Sequence, residues 1–192
     1  MDPQCFAIRI TMSRDMIKIS KFLSYVLRHR PDEIGLTLDA NGWASVAELI
    51  ECSQKTSMPL DEQCIQQAVA ESDKKRFALS EDGTRIRANQ GHSVEVDLAL
   101  EAREPPEILF HGTATRFSDE IARSGLKAMS RQHVHLSPDE NTALSIGKRH
   151  GKPIILRIRA GEMWKAGMKF YLSDNGVWLT DAVPRAFIDF PK

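Results

Sequence analysis

The 192-residue chain lacks the features that mark several large classes of protein. Its 26 basic and 26 acidic residues leave no net charge, so any phosphate-binding surface must come from local clustering of basic residues. Three scattered cysteines without a CxxC motif argue against a zinc framework and favour a reduced, cytosolic protein. No apolar run approaches membrane-spanning length, and no GxGxxG motif marks a dinucleotide-binding Rossmann unit.

A proline- and glutamate-rich stretch divides the chain into two parts. Residues 101–107 contain two prolines and three glutamates, a composition typical of a linker. Helical periodicity dominates before this stretch, and short strands dominate after it. We therefore predict an α+β protein. Its expected parts are a leader at 1–14, a first lobe at 15–93, a linker region at 94–107 and a second lobe at 108–192.

The first lobe has the pattern of helices followed by a hairpin, which predicts a winged helix. Its helices are expected at about 15–30, 46–52 and 60–71, with a hairpin turn at Glu81-Asp82-Gly83. A capping box over Ser45–Glu48 is expected to open the second helix. Alternation along the hairpin places Phe77 and Ile86 toward the core and leaves Arg76, Arg85 and Arg87 on the opposite face. The neutral chain thus forms a basic face locally. Arg28 and His29 end the first helix and are expected near that face, although helix-end charges alone are also common.

The second lobe is predicted to contain short strands mixed with short helices. A strand over 108–110 runs into His111-Gly112-Thr113, which alone is also consistent with a turn and a capping threonine. Ser118 is expected to cap a helix that stops at Gly125. The remaining strands are expected at 133–136, 154–158, 168–172 and 177–180, with an Asp174-Asn175-Gly176 hairpin turn, and the chain ends with the apolar segment 187–190.

The most informative segment of this lobe is Arg131-Gln132-His133-Val134-His135-Leu136-Ser137. On a strand, His133 and His135 share one face while the apolar residues take the other. Ser137 is predicted to cap a helix from 138 to about 149, with Glu140 closing a capping box. A strand of basic residues that leads into a helix N-terminus favours an anion or nucleotide site. Surface histidines, or a metal site with His111, are the alternatives, but no acidic residue stands out as a further ligand.

Together these segments resemble the NAD-dependent RNA (tRNA) 2′-phosphotransferase family. The matching segments are Ser20–His29, Gly35–Asp39, Asn41–Trp43, Arg76–Phe77, Ile86–Ser93, His111–Thr113, Arg131–Ser137 and Asn175–Trp178. They are spread in order over about residues 18–190, and the leader at 1–14 falls outside them. The resemblance implies an N-terminal winged-helix lobe that binds RNA and its 2′-phosphate, and a C-terminal ADP-ribosyltransferase-like mixed β lobe that binds NAD⁺.

The resemblance also implies a reaction and a set of site residues. Members remove an internal RNA 2′-monophosphate, such as a tRNA splice-junction phosphate, by transfer to NAD⁺ in two steps. Catalytic residues are then expected at Arg28, His29, Arg76 and Arg131, converging from the two lobes. NAD⁺-binding residues are expected at His111, Gly112, Thr113, His133, His135, Ser137, Asn175 and Val177. No metal is implied, and we expect a cytoplasmic monomer that does not engage a membrane.

These residue types suit the expected chemistry. Arginine offers planar, permanently charged donors to a phosphate monoester, where lysine would be a point charge. A histidine with an ordinary pKa of about 6.5 is a natural general acid, which fits His29. Two other functions stay open: ADP-ribosylation of terminal phosphates on RNA or DNA, and a winged-helix regulator with a ligand-sensing lobe. The regulator predicts a basic recognition helix, whereas residues 60–71 contain no lysine or arginine.

Overall fold

The computed structural model describes residues 3–72 and 74–191, with side chains from Asp15 onward. Its backbone contacts divide the chain into two compact units, one ending at Leu98 and the other beginning at Ala99. Each unit combines helices with small antiparallel sheets, so the chain is a mixed α and β protein. The winged-helix and ADP-ribosyltransferase-like assignments stay predictions. Within the described part of the chain, no helix is both long enough and apolar enough to cross a membrane.

The first unit contains helices followed by a hairpin, together with a short strand that was not predicted. Its elements are α1 (Pro3–Arg28), β1 (Trp43–Ser45), α2 (Val46–Ser53), α3 (Glu62–Ala70), β2 (Phe77–Leu79) and β3 (Arg85–Ala88). The prediction that the first helix starts near residue 15 is wrong, because α1 begins at Pro3. The strands form an antiparallel sheet in the order β1-β3-β2. β1 is only three residues long, so it has no periodic sequence signal. It is defined by its pairing with β3.

Local sequence signals account for most of the remaining structure in the first unit. The Ser45 side chain accepts a hydrogen bond from the Glu48 amide, so Ser45 caps α2 as predicted, while the Glu48 carboxylate accepts from the Thr37 amide. Asp61 caps α3, so this helix begins two residues after the predicted Leu60. Phe77 and Ile86 of the hairpin are buried as predicted. Their core also contains Leu23, Val26 and Leu27 of α1, Leu49 of α2 and Ile65 of α3.

The second unit is built from small antiparallel sheets and short helices. Its elements are β4 (Leu109–Ala114), α4 (Ser118–Ser124), β5 (Leu126–Lys127), β6 (Val134–Leu136), α5 (Glu140–Gly147), β7 (Pro153–Ile158), α6 (Ala160–Lys165), β8 (Tyr171–Leu172), β9 (Trp178–Thr180), β10 (Ala182–Val183) and β11 (Ile188–Asp189). The sheets have the orders β11-β7-β4, β6-β9-β8 and β10-β5. An isolated bridge between Phe110 and Ser137 connects β4 to the end of β6. This bridge lies where the first two of these sheets meet.

The helix after the histidine-containing strand begins later than predicted. Ser137 is not its N-cap, because the Ser137 backbone amide and carbonyl are both paired with Phe110, at 2.8 Å each. Asp139 takes the cap position instead, and its carboxylate accepts a hydrogen bond from the Thr142 amide at 2.8 Å. Glu140 is therefore the first residue of α5 and does not close a capping box with Ser137. The helix also ends early, at Gly147, and a single 3₁₀ turn follows.

Other boundaries in the second unit also differ from the predictions. The strand predicted to end at Phe110 continues to Ala114, so His111, Gly112 and Thr113 lie within β4 and do not form a turn. Ser118 is the first residue of α4 and not its cap, since a 3₁₀ turn leads directly into that helix. β8 is shorter than the predicted strand at 168–172, and α6 was not predicted. These elements are too short for a periodic signal and depend on contacts distant in sequence.

Candidate active site

The end of α1 carries two of the predicted catalytic residues. Arg28 is the last residue of the helix, and His29 follows it directly. The backbone amides of Ser93 and Val94 donate to the Arg28 carbonyl, at 2.9 and 3.3 Å. The Ser93 hydroxyl forms a 2.9 Å hydrogen bond with Nδ1 of His29. A segment about 65 residues further along the chain therefore holds this helix end.

Arg76 contacts the same helix end through its backbone carbonyl, and its side chain contacts α1 further toward the N-terminus. The Arg28 guanidinium donates to the Arg76 carbonyl at 3.3 Å, and its Cζ lies 5.9 Å from the centre of the Phe77 ring. The Arg76 guanidinium donates to Ser20 Oγ on α1 at 3.5 Å. The first unit thus brings together the predicted catalytic residues Arg28, His29 and Arg76.

A buried histidine that was given no role from the sequence lies beside this cluster. The His92 side chain is 1 % exposed, and neither of its ring nitrogens has a hydrogen-bond partner among the described residues. Burial lowers the pKa of His92 to about 4, and the charges of Arg28, His29 and Arg87 act in the same direction. His92 is therefore neutral at pH 7. Its motif, Gly91-His92-Ser93, was visible in the sequence, but the burial of its middle residue was not.

The predicted basic face of the hairpin is organised around a tryptophan. Cζ of Arg85 and Cζ of Arg87 lie 5.3 and 4.7 Å from the Trp43 ring. Trp43 is paired directly with Arg87 across β1 and β3, so this arrangement depends on the strand that was not predicted. Arg85 also forms a 3.6 Å ion pair with Asp39. Arg85 and Arg87 share one face, as the alternation predicted.

In the second unit, two histidines and an arginine form a hydrogen-bonded group. His111 Nδ1 lies 3.0 Å from the backbone carbonyl of His135, so Nδ1 carries the proton that is donated. An Arg131 guanidinium nitrogen lies 3.2 Å from Nδ1 of His135. Because the guanidinium only donates, that nitrogen of His135 must be the unprotonated one. The His135 proton is therefore on Nε2, and its imidazole is neutral in this arrangement.

Burial also keeps His111 neutral. Removal from solvent lowers the pKa of His111, although the hydrogen bond to the His135 carbonyl acts in the opposite direction. In neutral His111, Nδ1 is the donor and Nε2 is the acceptor. Nε2 of His111 is therefore an acceptor, whereas Nε2 of His135 is a donor. Such a pair is suited to the hydroxyl groups of a sugar, each of which both donates and accepts.

The neighbours of these histidines have more structural roles than the sequence indicated. A Cβ atom at Gly112 would overlap the carbonyl oxygen of Ala143, so Gly112 allows α5 to pack directly on β4. Thr113 is buried on the same strand. Ser137 forms the bridge to Phe110 described above. His133 contacts the Tyr171 ring and lies 3.7 Å from an Asp181 carboxylate oxygen.

Asn175 and Val177 lie in the hairpin that joins β8 to β9. The Ser173 hydroxyl donates to the Asn175 side-chain oxygen at 2.7 Å, and the Ser173 amide donates to the Val177 carbonyl at 3.0 Å. Gly176 supplies the left-handed backbone of this turn, with φ of 78°. These contacts define the turn, and the NAD⁺-binding roles of Asn175 and Val177 stay predictions. Across the described residues, no group of three or more His, Cys, Asp or Glu side chains is placed to hold a metal ion.

In the first unit, arginines lie beside a histidine at a helix end, and in the second, an arginine lies beside two histidines near a sheet seam. Each group is of a class suited to anions or sugar hydroxyls. Comparisons of the sequence with known proteins identify the family. The sequence model of the RNA 2′-phosphotransferase, Tpt1/KptA family matches residues 14–182. The chain therefore belongs to the RNA 2′-phosphotransferase family.

Several curated relatives are similar over nearly their whole length. A protein from Agrobacterium fabrum is 61 % identical over 169 residues, which cover 88 % of this chain and 91 % of the relative. A protein from Acaryochloris marina is 54 % identical, covering 92 % and 97 %. One from Escherichia coli is 50 % identical with the same two coverages. Each carries the name "Probable RNA 2'-phosphotransferase".

Proposed function

We propose that the protein removes an internal 2′-monophosphate from RNA, such as a tRNA splice-junction phosphate, by transferring it to NAD⁺. The family match over residues 14–182 is the observation that carries this proposal. The grouping of Arg28, His29 and Arg76, and of Arg131 with His111 and His135, supports it. NAD⁺ is consumed as a co-substrate, and the released products are nicotinamide, 2′-OH RNA and ADP-ribose 1″,2″-cyclic phosphate.

In the first step, a 2′-phosphate oxygen attacks the anomeric carbon of the nicotinamide ribose. The bond from that carbon to the nicotinamide nitrogen breaks, and nicotinamide leaves with its electron pair. The phosphate is already an anion at neutral pH, so this step needs no general base. The lack of need for a general base agrees with the apolar Val177, which lies at a position where many protein-directed ADP-ribosyltransferases carry glutamate. The product is RNA-2′-phospho-ADP-ribose.

The neutral histidines of the second unit suit the binding of the NAD⁺ ribose. We assign the protonated Nε2 of His135 as a donor and the unprotonated Nε2 of His111 as an acceptor toward ribose hydroxyls. Both tautomers are set by hydrogen bonds within the protein, at 3.2 and 3.0 Å. A preset tautomer avoids the rearrangement that ligand binding would otherwise require.

In the second step, the ribose 2″-hydroxyl attacks phosphorus and the RNA 2′-oxygen leaves. The leaving oxygen needs a proton, which we assign to protonated His29. The proton of the 2″-hydroxyl passes to solvent, and solvent later restores the proton of His29. Arg28, Arg76 and Arg131 are assigned to the phosphoryl oxygens, where each charge-assisted hydrogen bond is worth about 1.5–3 kcal/mol.

An assay with two isomeric substrates tests the proposal. The protein is incubated with NAD⁺ and an oligonucleotide that carries one internal 2′-phosphate, and the products are identified by mass spectrometry. We expect 2′-OH RNA, nicotinamide and the cyclic phosphate, with no reaction when NAD⁺ is omitted. Unchanged RNA would overturn the proposal, and release of inorganic phosphate without NAD⁺ would overturn the role of NAD⁺.

The second isomer carries its phosphate at the 5′ end. Faster ADP-ribosylation of this oligonucleotide than of the 2′-phosphorylated one would favour the alternative, a transferase that acts on terminal phosphates. We expect the internal 2′-phosphate to react faster.

A further inference from the structure

The segment Gly91–Val94 covers the end of α1 and is itself anchored in the first unit. A Cβ atom at Gly91 would lie 3.7 Å from a guanidinium nitrogen of Arg28, so the segment passes close over this side chain. The next residue, His92, is buried, and a Cβ atom at Gly42 would lie 3.5 Å from its Nε2. The position of Ser93 is therefore fixed on one side by a buried imidazole and on the other by the helix end.

The backbone of this segment completes the helix. The last carbonyl groups of an α-helix have no partners within the helix. At α1, the Ser93 and Val94 amides fill this role for the Arg28 carbonyl. The Ser93 hydroxyl lies 3.5 Å from the same carbonyl and 2.9 Å from Nδ1 of His29. One serine therefore touches both the helix end and the imidazole that follows it.

The protonation state of His29 determines which atom donates in its hydrogen bond with Ser93. A protonated imidazole has a hydrogen on each ring nitrogen and only donates. The Ser93 oxygen must then accept from Nδ1 of His29, and the Ser93 proton points toward the Arg28 carbonyl. The proton that His29 transfers must accordingly be the one on Nε2. After transfer, the neutral imidazole keeps its Nδ1 proton and its hydrogen bond to Ser93.

We propose that Ser93 is a positioning residue that orients His29 and favours its protonated form, so that Nε2 delivers the proton in the second step. This role rests on the proposed function and deepens it, because it names the residue that prepares the general acid. Ser93 itself touches no reacting atom. Its hydroxyl bonds to the His29 imidazole at 2.9 Å and more weakly to the Arg28 carbonyl at 3.5 Å, so its loss should slow the second step more than the first.

Comparison of Ser93→Ala with Ser93→Thr tests the proposal. Single-turnover reactions separate nicotinamide release, which reports the first step, from formation of 2′-OH RNA, which reports the second. We expect Ser93→Ala to slow the second step about tenfold, a part of the contribution of a general acid, and to leave the first within about twofold. RNA-2′-phospho-ADP-ribose should then accumulate. Ser93→Thr keeps the hydroxyl and should restore the second step.

A matched control and a second readout separate this role from simple support of the fold. Ser124, whose hydroxyl bonds to Glu120 within α4, gives the control Ser124→Ala, which should change neither step. An NMR titration of the His29 imidazole should show a lower pKa in Ser93→Ala than in the wild type. Equal slowing of both steps, or a second step as fast as in the wild type, overturns the proposal.

The titration keeps this inference distinct from the proposed function. If the wild type does not remove the 2′-phosphate in the presence of NAD⁺, the proposed function fails. The contact between Ser93 and His29 is still tested, because the titration needs no substrate. A His29 titration curve that is identical in the wild type and Ser93→Ala overturns the positioning role in either case.

Discussion

The two units hold their histidines by different means. In the first, His29 follows a helix end and is held by the side chain of Ser93, from a distant segment of the chain. In the second, His111 lies within β4, and its ring donates to the backbone carbonyl of His135 near the seam of two sheets. Either partner can accept a hydrogen bond from Nδ1, but burial lowers the pKa of His111 and favours its neutral form. This difference matches the roles we propose: ligand binding for His111 and proton transfer for His29.

The largest expected effect concerns the packing beneath His111. In Gly112→Ala, the new methyl group would overlap the Ala143 carbonyl oxygen and lie 3.0 Å from the Gly147 amide nitrogen. Because both neighbours are backbone atoms of α5, the helix must move away from β4. We expect a loss of at least about 3 kcal/mol in the free energy of unfolding, measured by chemical denaturation.

Gly161→Ala is the matched control for this prediction. There the three atoms nearest to the methyl group would all belong to the Glu107 carboxylate, at the end of a flexible and exposed side chain. The control should lose much less stability. If both variants are equally stable, the close packing of α5 on β4 is wrong.

The next effect tests whether the first unit supplies the proton. His29→Ala should slow the second step by about 10²–10⁴-fold, the usual contribution of a general acid, and the first step much less. Single-turnover assays on a 2′-phosphorylated oligonucleotide should then show RNA-2′-phospho-ADP-ribose accumulating. The assignment of His29 as general acid fails if nicotinamide release slows as much as formation of the cyclic phosphate.

A third prediction concerns pH and the buried imidazole beside this cluster. The pKa of folded His92 is about 4, below its ordinary value of about 6.5, so the unfolded chain takes up this proton first as the pH falls. The stability that the buried, neutral His92 contributes is therefore fully present above about pH 6.5 and is lost between about pH 6.5 and pH 4. When the pH falls from 7.5 to 5, the titration of His92 should lower the free energy of unfolding by about 2 kcal/mol.

Replacement of the imidazole isolates this contribution. His92→Gln should lose about 2 kcal/mol less stability than the wild type over the same fall in pH, as measured by urea denaturation. His150→Gln, at an exposed position, is the control and should follow the wild type. Parallel pH dependence in the wild type and His92→Gln would contradict burial of a neutral His92.

The smallest predicted effect tests the binding role in the second unit. His135→Ala removes the partner of Arg131 and one proposed donor to the NAD⁺ ribose. We expect NAD⁺ to bind about tenfold more weakly by calorimetry, since one hydrogen bond contributes about 0.5–1.5 kcal/mol. Ser124→Ala, in α4, is the control. An unchanged NAD⁺ affinity in His135→Ala would rule out the assignment.

Sequence patterns predicted the parts of the fold that depend on neighbouring residues. The N-cap at Ser45 and the hairpin around Gly83 are local, and the structure contains both. The alternation at 133–136 correctly placed Val134 and Leu136 in the core. The cap at α5 was misplaced because Ser137 pairs with Phe110, about 27 residues earlier, and that pairing has no local signal.

The candidate site divides in the same way. The residue types of the site could be predicted from the sequence, since arginines and histidines in these segments indicate phosphate and sugar chemistry. Their partners were not, because the contact between His29 and Ser93 joins residues 64 apart in sequence. The tautomers of His111 and His135 depend on single hydrogen bonds that no spacing rule predicts. Gly112 was expected to bind NAD⁺, while the structure shows the packing reason for a glycine there.

The pairing of Ser93 with the end of α1 also has a consequence for the order of folding. A contact between residues 65 apart closes a long loop, and we expect such a non-local contact to form after the local ones. We therefore expect the last turn of α1 to receive its cap after the intervening helices and hairpin have assembled. A nascent chain that has emerged only as far as the hairpin would contain Arg28, His29 and Arg76 without the segment that orients them. Catalytic competence should consequently appear after the bulk of helical structure during refolding, as a separate and slower phase.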